Sequence, residues 1–189
     1  MGVALGSKGD WDGDIAEERE ALRLKPNLAR AHYDLGNALT HKGDWDSAIT
    51  EYREELRLYP KDDMAHVNLG RALGKKGDWD GQIREEGEAL RLNPNNVLAH
   101  YDLGLALQNK GDLDGAIAEY REALRLNPNL APARLVLGIA LRRKGDWDGA
   151  IAEEREAPRL KPRNGMAHFV LGVAREKKGG IVYFANPLR

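Results

Sequence analysis

A five-residue motif that returns every 34 residues constrains the fold of this chain more than any other feature of its sequence. KGDWD stands at 8–12, 42–46, 76–80 and 144–148, and KGDLD fills the gap at 110–114. A period of roughly 20 to 50 residues is typical of solenoids, in which each repeat packs only on its neighbours. The chain length of 189 residues therefore measures a number of repeats and not a number of globular domains.

Leu-Gly pairs at the same interval fix the register of the repeat. They are Leu35-Gly36, Leu69-Gly70, Leu103-Gly104, Leu137-Gly138 and Leu171-Gly172. When each pair takes positions 7 and 8 of a 34-residue unit, the complete units are 29–62, 63–96, 97–130 and 131–164. We expect 1–28 to be a partial repeat with a stub first helix and a second helix, 165–178 to be the first helix of an incomplete repeat, and 179–189 to be a tail outside the pattern.

Each unit carries two helical patterns. In the first complete unit, AHYDLGNALTHK places its apolar residues at helical spacing, and a second pattern runs from Asp46 to about Leu58. Gly43 is placed to end the first helix, Asp44 to cap the second, and Pro60 to stop it. The sequence therefore predicts an all-α fold of antiparallel helix pairs, stacked into a right-handed superhelix.

A glycine recurs inside the first helix of every unit, as Gly36, Gly70 and Gly104 illustrate. Glycine in a helix interior costs about 1 kcal/mol relative to alanine, so its recurrence requires a structural reason. Close contact with the second helix supplies one. The small residues of position 20 are the predicted partners, namely Ala48, Ala116 and Ala150.

This pattern resembles the tetratricopeptide repeat (TPR) family over residues 1–178. Leu-Gly at positions 7 and 8, Ala at position 27 and Pro at position 32 match the family. Position 11 departs from it, with Leu in place of Tyr, and the bulky aromatic stands at position 17 as Trp11, Trp45, Trp79 and Trp147. The resemblance implies a right-handed superhelical solenoid that acts as a non-enzymatic scaffold for protein–protein interaction.

The resemblance also implies a concave groove, lined by the first helices, that binds a peptide or protein segment. Its residues in this sequence are Tyr33, Asn37, Thr40, Val67, Asn68, Arg71, Tyr101, Leu105, Gln108, Leu135, Ile139, Arg142, Phe169 and Val173. The N-terminal half of this set is mixed polar and the C-terminal half is apolar. Exposed apolar patches usually mark interaction surfaces.

Some members of the family bind a C-terminal carboxylate with a five-residue clamp. Asn37 and Asn68 match its two asparagines, but Tyr33, Leu98 and Asp102 replace its three cations. A carboxylate that faces Asp102 without those cations is repelled. We therefore expect no chaperone-tail binding of that type.

Position 24, which is normally buried, alternates between two residue types: Glu18, Tyr52, Glu86, Tyr120 and Glu154. A buried carboxylate needs a partner. The sequence offers a histidine in the following first helix, which predicts the pairs Glu18–His32, Glu86–His100 and Glu154–His168. These pairs are structural and not catalytic.

The alternating carboxylates Asp10, Asp12 and Asp14 raise the question of an EF-hand calcium loop. Such a loop requires Gly at its sixth position and Glu at its twelfth, where this chain has Ile15 and Ala21. The first-helix histidines lie one repeat apart, at roughly 10 Å, which is too far to share a zinc ion. No nucleophile constellation, phosphate-binding loop or cysteine is present in the sequence. We expect no metal, no cofactor and no enzymatic activity.

The charge balance bears on partners. Lys and Arg number 29 against 30 Asp and Glu, which gives no basic footprint for nucleic acid or for a membrane surface. Without a signal peptide or a long apolar run, the expected location is cytoplasmic, provided that no further segment of a larger protein carries a targeting signal. The expected partner is a protein or peptide segment. Self-assembly into a homo-oligomer, through uncapped ends or the 179–189 tail, is the alternative.

Overall fold

The computed structural model describes residues 10–160, and all regular secondary structure in that range is α-helical. Helix α1 is Trp11–Leu24. The remaining helices follow in pairs: α2 Ala29–Lys42 and α3 Trp45–Leu58, α4 Asp63–Lys75 and α5 Trp79–Leu92, α6 Val97–Lys110 and α7 Leu113–Leu126, α8 Ala131–Lys144 and α9 Trp147–Leu160. Connections of two or three residues within each pair make its two helices antiparallel.

Several sequence predictions fall outside the part of the chain that the structure describes. They are the stub helix, the helix predicted at 165–178, the tail at 179–189, the groove residues Phe169 and Val173, and the Glu154–His168 pair. These predictions stay open.

The chain divides into two compact units, Met1–Asp102 and Leu103–Arg189, and the division falls within α6. In the first unit each of α1 to α4 packs on the helix that follows it, and α2 also touches α4. In the second unit α7 packs on α8, and α8 packs on α9.

The turn within each helix pair has the predicted chemistry. Gly43 adopts the left-handed conformation with φ of 77°, and its equivalents Gly77, Gly111 and Gly145 share it. The Asp44 carboxylate then accepts a hydrogen bond from the Ser47 backbone N–H at 3.2 Å and caps α3. The same cap is made by Asp10, Asp78, Asp112 and Asp146. The stretch considered as a calcium loop therefore supplies the N-cap of α1, and its later copies are helix-to-helix turns.

The recurring helix glycine does mark a close contact, but its predicted partner is wrong. A Cβ atom on Gly36 would lie 2.6 Å from Tyr52 Cε1, and one on Gly104 would lie 2.5 Å from Tyr120 Cε1. The partner is thus the residue at position 24 and not the alanine at position 20. In the second complete unit, position 20 lies against position 12, since a Cβ atom on Gly74 would come very close to the Gln82 side chain.

One core cluster of the first unit is formed by apolar side chains of α1 to α4. Leu35, Leu39, Tyr52 and Leu69 are all nearly or completely buried in it. Trp11 packs against this core and stacks on His41 of the next helix, with ring centroids 3.9 Å apart and planes 7° apart. Trp45 also packs against this core and, like Trp11, is only partly buried.

Candidate functional site

The polar candidate residues of the first unit lie together on two helices in contact with each other. Tyr33, Asn37 and Thr40 belong to α2, and Asn68 and Arg71 belong to α4. All five are half-buried. We refer to these five residues as the α2–α4 surface.

A hydrogen-bond network orders the α2–α4 surface. Asn68 Nδ2 donates to Asn37 Oδ1 at 3.0 Å and to Tyr33 Oη at 3.1 Å. The hydroxyl of buried Tyr52, on α3, donates to the same Asn37 oxygen at 2.8 Å. Burial raises the pKa of Tyr52 to about 12, so its hydroxyl remains a donor at neutral pH. Because the Asn37 oxygen accepts two bonds, the orientation of its amide is fixed.

Tyr52 is absent from the sequence-predicted site, although it holds the centre of the network. It lies on the second helix α3, whereas the family resemblance directs attention to the first helices. The signal that could have identified it is the alternation at position 24 together with the glycine at position 8. An aromatic ring that packs on that glycine extends its hydroxyl toward position 9 of the first helix.

Val67, predicted to line the groove, is fully buried, so its assignment to an open surface is wrong. It packs with Ala89 and Ala99, beside Leu90 and Leu98. Tyr33 occupies the same repeat position and reaches the surface because its ring is longer. A short β-branched side chain at this position ends within the core.

A second polar cluster adjoins the α2–α4 surface. Arg71 Nε donates to Asp102 Oδ2 at 2.5 Å, with 39% of the Arg71 side chain exposed against 6% of Asp102. Burial raises the pKa of Asp102, and the Arg71 charge opposes that rise. Gln82 Nε2 donates to the Asp102 backbone carbonyl at 3.2 Å. Asp102 is therefore buried and bonded through its backbone to Gln82, whereas the Arg71 side chain remains partly exposed to solvent.

Glu86 lies beneath this cluster and takes the place that Tyr52 takes in the preceding helix pair. It is fully buried against Gly70, and neither of its carboxyl oxygens has a hydrogen-bond partner. Burial and, to a smaller extent, the Asp102 charge raise its pKa to about 10, while Arg71 opposes the rise. Glu86 is consequently protonated and uncharged at neutral pH.

The predicted pairs Glu18–His32 and Glu86–His100 are wrong, because both ring nitrogens of His32 contact other groups and neither carboxyl oxygen of Glu86 has a hydrogen-bond partner. His32 Nδ1 contacts Glu51 Oε2 at 2.6 Å, and His66 Nδ1 contacts Glu85 Oε2 at 2.8 Å. Both bonds join position 4 to position 23 of the same helix pair. One step along a helix turns a side chain by about 100°, so position 23 faces the histidine while position 24 faces the glycine.

The candidate residues near the boundary of the units and beyond it are partly accessible. Tyr101 is half-buried in the first unit, and Leu105, Gln108, Leu135, Ile139 and Arg142 are half-buried in the second. Gln108 Oε1 accepts a hydrogen bond from the Tyr120 hydroxyl at 3.4 Å. Tyr120 therefore supports the first helix of its own pair, as Tyr52 does.

Within residues 10–160, no group of three or more histidine, cysteine, aspartate or glutamate side chains is placed to hold a metal ion. Over the same residues, no helix combines the length and the apolar character needed to cross a membrane.

Comparison with known protein families gives the same family match along most of the chain. A tetratricopeptide repeat family model matches the chain in overlapping stretches at 2–63, 33–97, 67–131, 101–164 and 135–179. A search of curated protein sequences found no significant match.

Solved structures of similar fold agree with that match. A crystal structure of MamA is 26% identical with a TM-score of 0.79, covering 86% of this chain and 98% of its own. MamA from Desulfovibrio magneticus RS-1, residues 41 to the end, is 25% identical with a TM-score of 0.76, covering 84% and 89%. YrrB, described as a TPR protein with an unusual peptide-binding site, is 24% identical with a TM-score of 0.73, covering 87% and 85%. The predicted fold class, an all-α solenoid of TPR-like helix pairs, is confirmed.

Proposed function

Because the chain belongs to the tetratricopeptide repeat family, we propose that it is a non-enzymatic scaffold whose first helices bind a peptide or protein segment. The observation that carries this proposal is the ordered polar network of the α2–α4 surface. Its side chains are held in place by one another and by Tyr52, yet each stays half-exposed. A preorganised polar surface loses little side-chain entropy when a ligand binds to it.

The unused hydrogen-bonding capacity of this surface suits a peptide main chain. Among the described residues, the Asn37 amide nitrogen, the Tyr33 hydroxyl hydrogen and the Arg71 terminal nitrogens make no hydrogen bond of their own. All three are donors, and the Asn68 amide oxygen is an open acceptor between them. An extended peptide presents carbonyl acceptors and N–H donors along its length, and these match such a surface.

The half-buried apolar residues of the second unit complement this role. Leu105, Leu135 and Ile139 stand at the repeat positions that the family resemblance assigns to the groove, and all three are half-buried. We propose that these three residues contact apolar side chains of a bound peptide or protein segment. The YrrB structure, whose description includes a peptide-binding site, supports peptide binding by this fold.

Peptide selection followed by mutation tests the proposal. Random dodecapeptides displayed on phage are panned on the purified chain, and selected sequences are synthesised with a fluorophore. We expect Asn37→Ala combined with Asn68→Ala to weaken binding about tenfold or more, because two hydrogen-bonding groups are lost. Leu135→Glu with Ile139→Glu tests the second unit in the same way.

The control is Arg53→Gln, which alters an exposed side chain of α3. It should leave the dissociation constant unchanged in fluorescence polarisation. If no peptide is enriched over an unrelated immobilised protein, peptide binding is disproved. If peptides bind equally well to the Asn37→Ala/Asn68→Ala variant, the first unit is the wrong surface.

Self-assembly is the second candidate, and exposed apolar side chains favour it. Leu24 at the end of α1 is 65% exposed, and Leu28, before α2, is 39% exposed. Two neighbouring leucines open to water can be buried by a second copy of the chain. Light scattering over a concentration series tests this, with Leu24→Glu expected to reduce the association. A chain that stays monomeric at high concentration contradicts it.

A further inference from the structure

Arg71 is the one charged residue at its repeat position within the described units. Position 9 is Asn37 in the first complete unit, Leu105 in the third and Ile139 in the fourth. Arg71 also lies close enough to Tyr52 to affect the pKa of its hydroxyl, which bonds to Asn37. The cation therefore adjoins the polar network of the α2–α4 surface.

Asp102 fixes the direction of this cation without consuming its hydrogen-bonding capacity. It accepts from Nε alone, and the terminal nitrogens of Arg71 have no partner among the described residues. A guanidinium has five N–H donors in a planar fork, so four hydrogens remain available on the two terminal nitrogens. Paired terminal nitrogens are the groups that bind carboxylates in a bidentate manner.

The electrostatics of the cluster favour an anion at its open end. The Arg71 side chain is 39% exposed, whereas the Asp102 side chain is only 6% exposed. Glu86, directly beneath, carries no charge at neutral pH and so does not compete for the guanidinium. An incoming ligand meets the cation first. The repulsion that the sequence predicts from Asp102 is therefore offset by its own partner.

We infer that Arg71 is a specificity-determining residue, which binds the side-chain carboxylate of an aspartate or glutamate in the partner segment. Asp102 is the positioning residue that orients it, and Asn37 and Tyr33 donate to main-chain carbonyls beside that acidic residue. This inference rests on the proposed peptide-binding function and adds to it the charge of one ligand residue.

The test begins with the peptide selection described above, now compared between proteins. Wild type should enrich peptides with Asp or Glu at one aligned position. The comparison protein is Arg71→Asn combined with Asp102→Asn, because Arg71→Asn alone leaves the buried Asp102 unpaired and threatens folding. Asparagine occupies the equivalent positions at Asn37 and Asn68, so the double variant suits the fold. It should lose the acidic preference, and Arg53→Gln should keep it.

Synthetic peptides then isolate the contact. A selected peptide with an amidated C-terminus is compared with its Glu→Gln or Asp→Asn counterpart, so that a terminal carboxylate is not involved. Wild type should bind the amide counterpart about tenfold or more weakly, and the double variant should bind both peptides alike.

The outcomes separate the two proposals. Peptides enriched without an acidic residue overturn the role of Arg71 and leave peptide binding intact. An acidic preference that persists in the double variant does the same. A selection that enriches no peptide at all overturns peptide binding and with it this inference.

Discussion

Among single residues, Glu86 departs furthest from what its surroundings favour. An ionisable side chain that is fully buried without a hydrogen-bond partner is rare in folded proteins, because burial of the charged form is costly. The protein avoids that cost by keeping the carboxyl protonated. As a consequence, the stability of the chain depends on pH through a carboxyl group that is buried in the interior.

We predict that the chain loses stability as the pH rises. The pKa of Glu86 is raised from 4.5 in the unfolded chain to about 10 in the folded chain. The folded state therefore holds the proton more tightly, and its stability is complete below about pH 4.5 and declines between that value and about pH 10. The slope from this one group is at most about 1.4 kcal/mol per pH unit.

Glu86→Gln should remove the contribution of this group to the slope, since the amide does not titrate, while buried Glu55, whose pKa burial raises to about 7, keeps its own contribution below that pH. The variant should show a higher urea midpoint than wild type at pH 9 and a similar midpoint at pH 5. Glu17→Gln, at an exposed position of α1, serves as the matched control. Equal pH slopes for wild type and Glu86→Gln would falsify the assignment.

At the scale of helices, two glycines in similar helical settings have opposite surroundings. Gly36 in α2 lies against the Tyr52 ring, where a Cβ atom would come within 2.6 Å of it. Gly87 in α5 is exposed, and a Cβ atom added to it would meet no atom within 4 Å apart from its chain neighbours and the backbone of its own helix. The same substitution therefore has opposite signs at the two sites.

Gly36→Ala should destabilise the chain by about 1–3 kcal/mol, because the overpacking exceeds the gain in helix propensity. Gly87→Ala should stabilise it by up to about 1 kcal/mol from propensity alone. Urea unfolding of both variants, monitored by circular dichroism, measures the difference. A stabilising Gly36→Ala would show that the Tyr52 ring can move aside.

Within a helix pair, the sequence predicts the turn well and the side-chain contacts between the two helices poorly. The turns could be predicted, because glycine favours the left-handed conformation that Gly43 adopts at the end of a helix. Aspartate in turn favours the N-cap position that Asp44 occupies. The register of side chains across a pair could not, because periodicity reveals which residues are buried but not which of them meet. The mistaken Glu86–His100 pair and the buried Val67 both come from that gap. The network around Asn37 depends on Tyr52, a residue of the other helix.

At the scale of the molecule, one ion pair recurs between successive helix pairs. Lys42 bonds to Asp12, Lys76 to Asp46, and Lys144 to Asp114, each across 30 residues. The side chains are largely exposed, with Asp12 81% accessible. Water and salt screen such pairs, so each contributes between zero and about 1 kcal/mol.

Replacement of all three lysines by alanine should therefore lower the unfolding free energy by no more than about 3 kcal/mol in total. The difference from wild type should shrink in about 1 M salt, where charges are screened within a few ångströms. Thermal unfolding at low and high ionic strength measures it. A large loss that is independent of salt would mean that the lysine stems stabilise the fold by packing and not by charge.

These lysine–aspartate bonds have a consequence for how such a chain can change its length. Each described one joins the same two positions of neighbouring modules, so the junctions are chemically alike. A tandem copy of a module carries both halves of the junction and meets matching partners on either side. The positions that we propose to face a ligand, by contrast, differ from one module to the next. The residues that join neighbouring modules are therefore different from those that we propose to bind a ligand. A module can be duplicated, or its proposed ligand-facing residues changed, without altering the lysine–aspartate bonds.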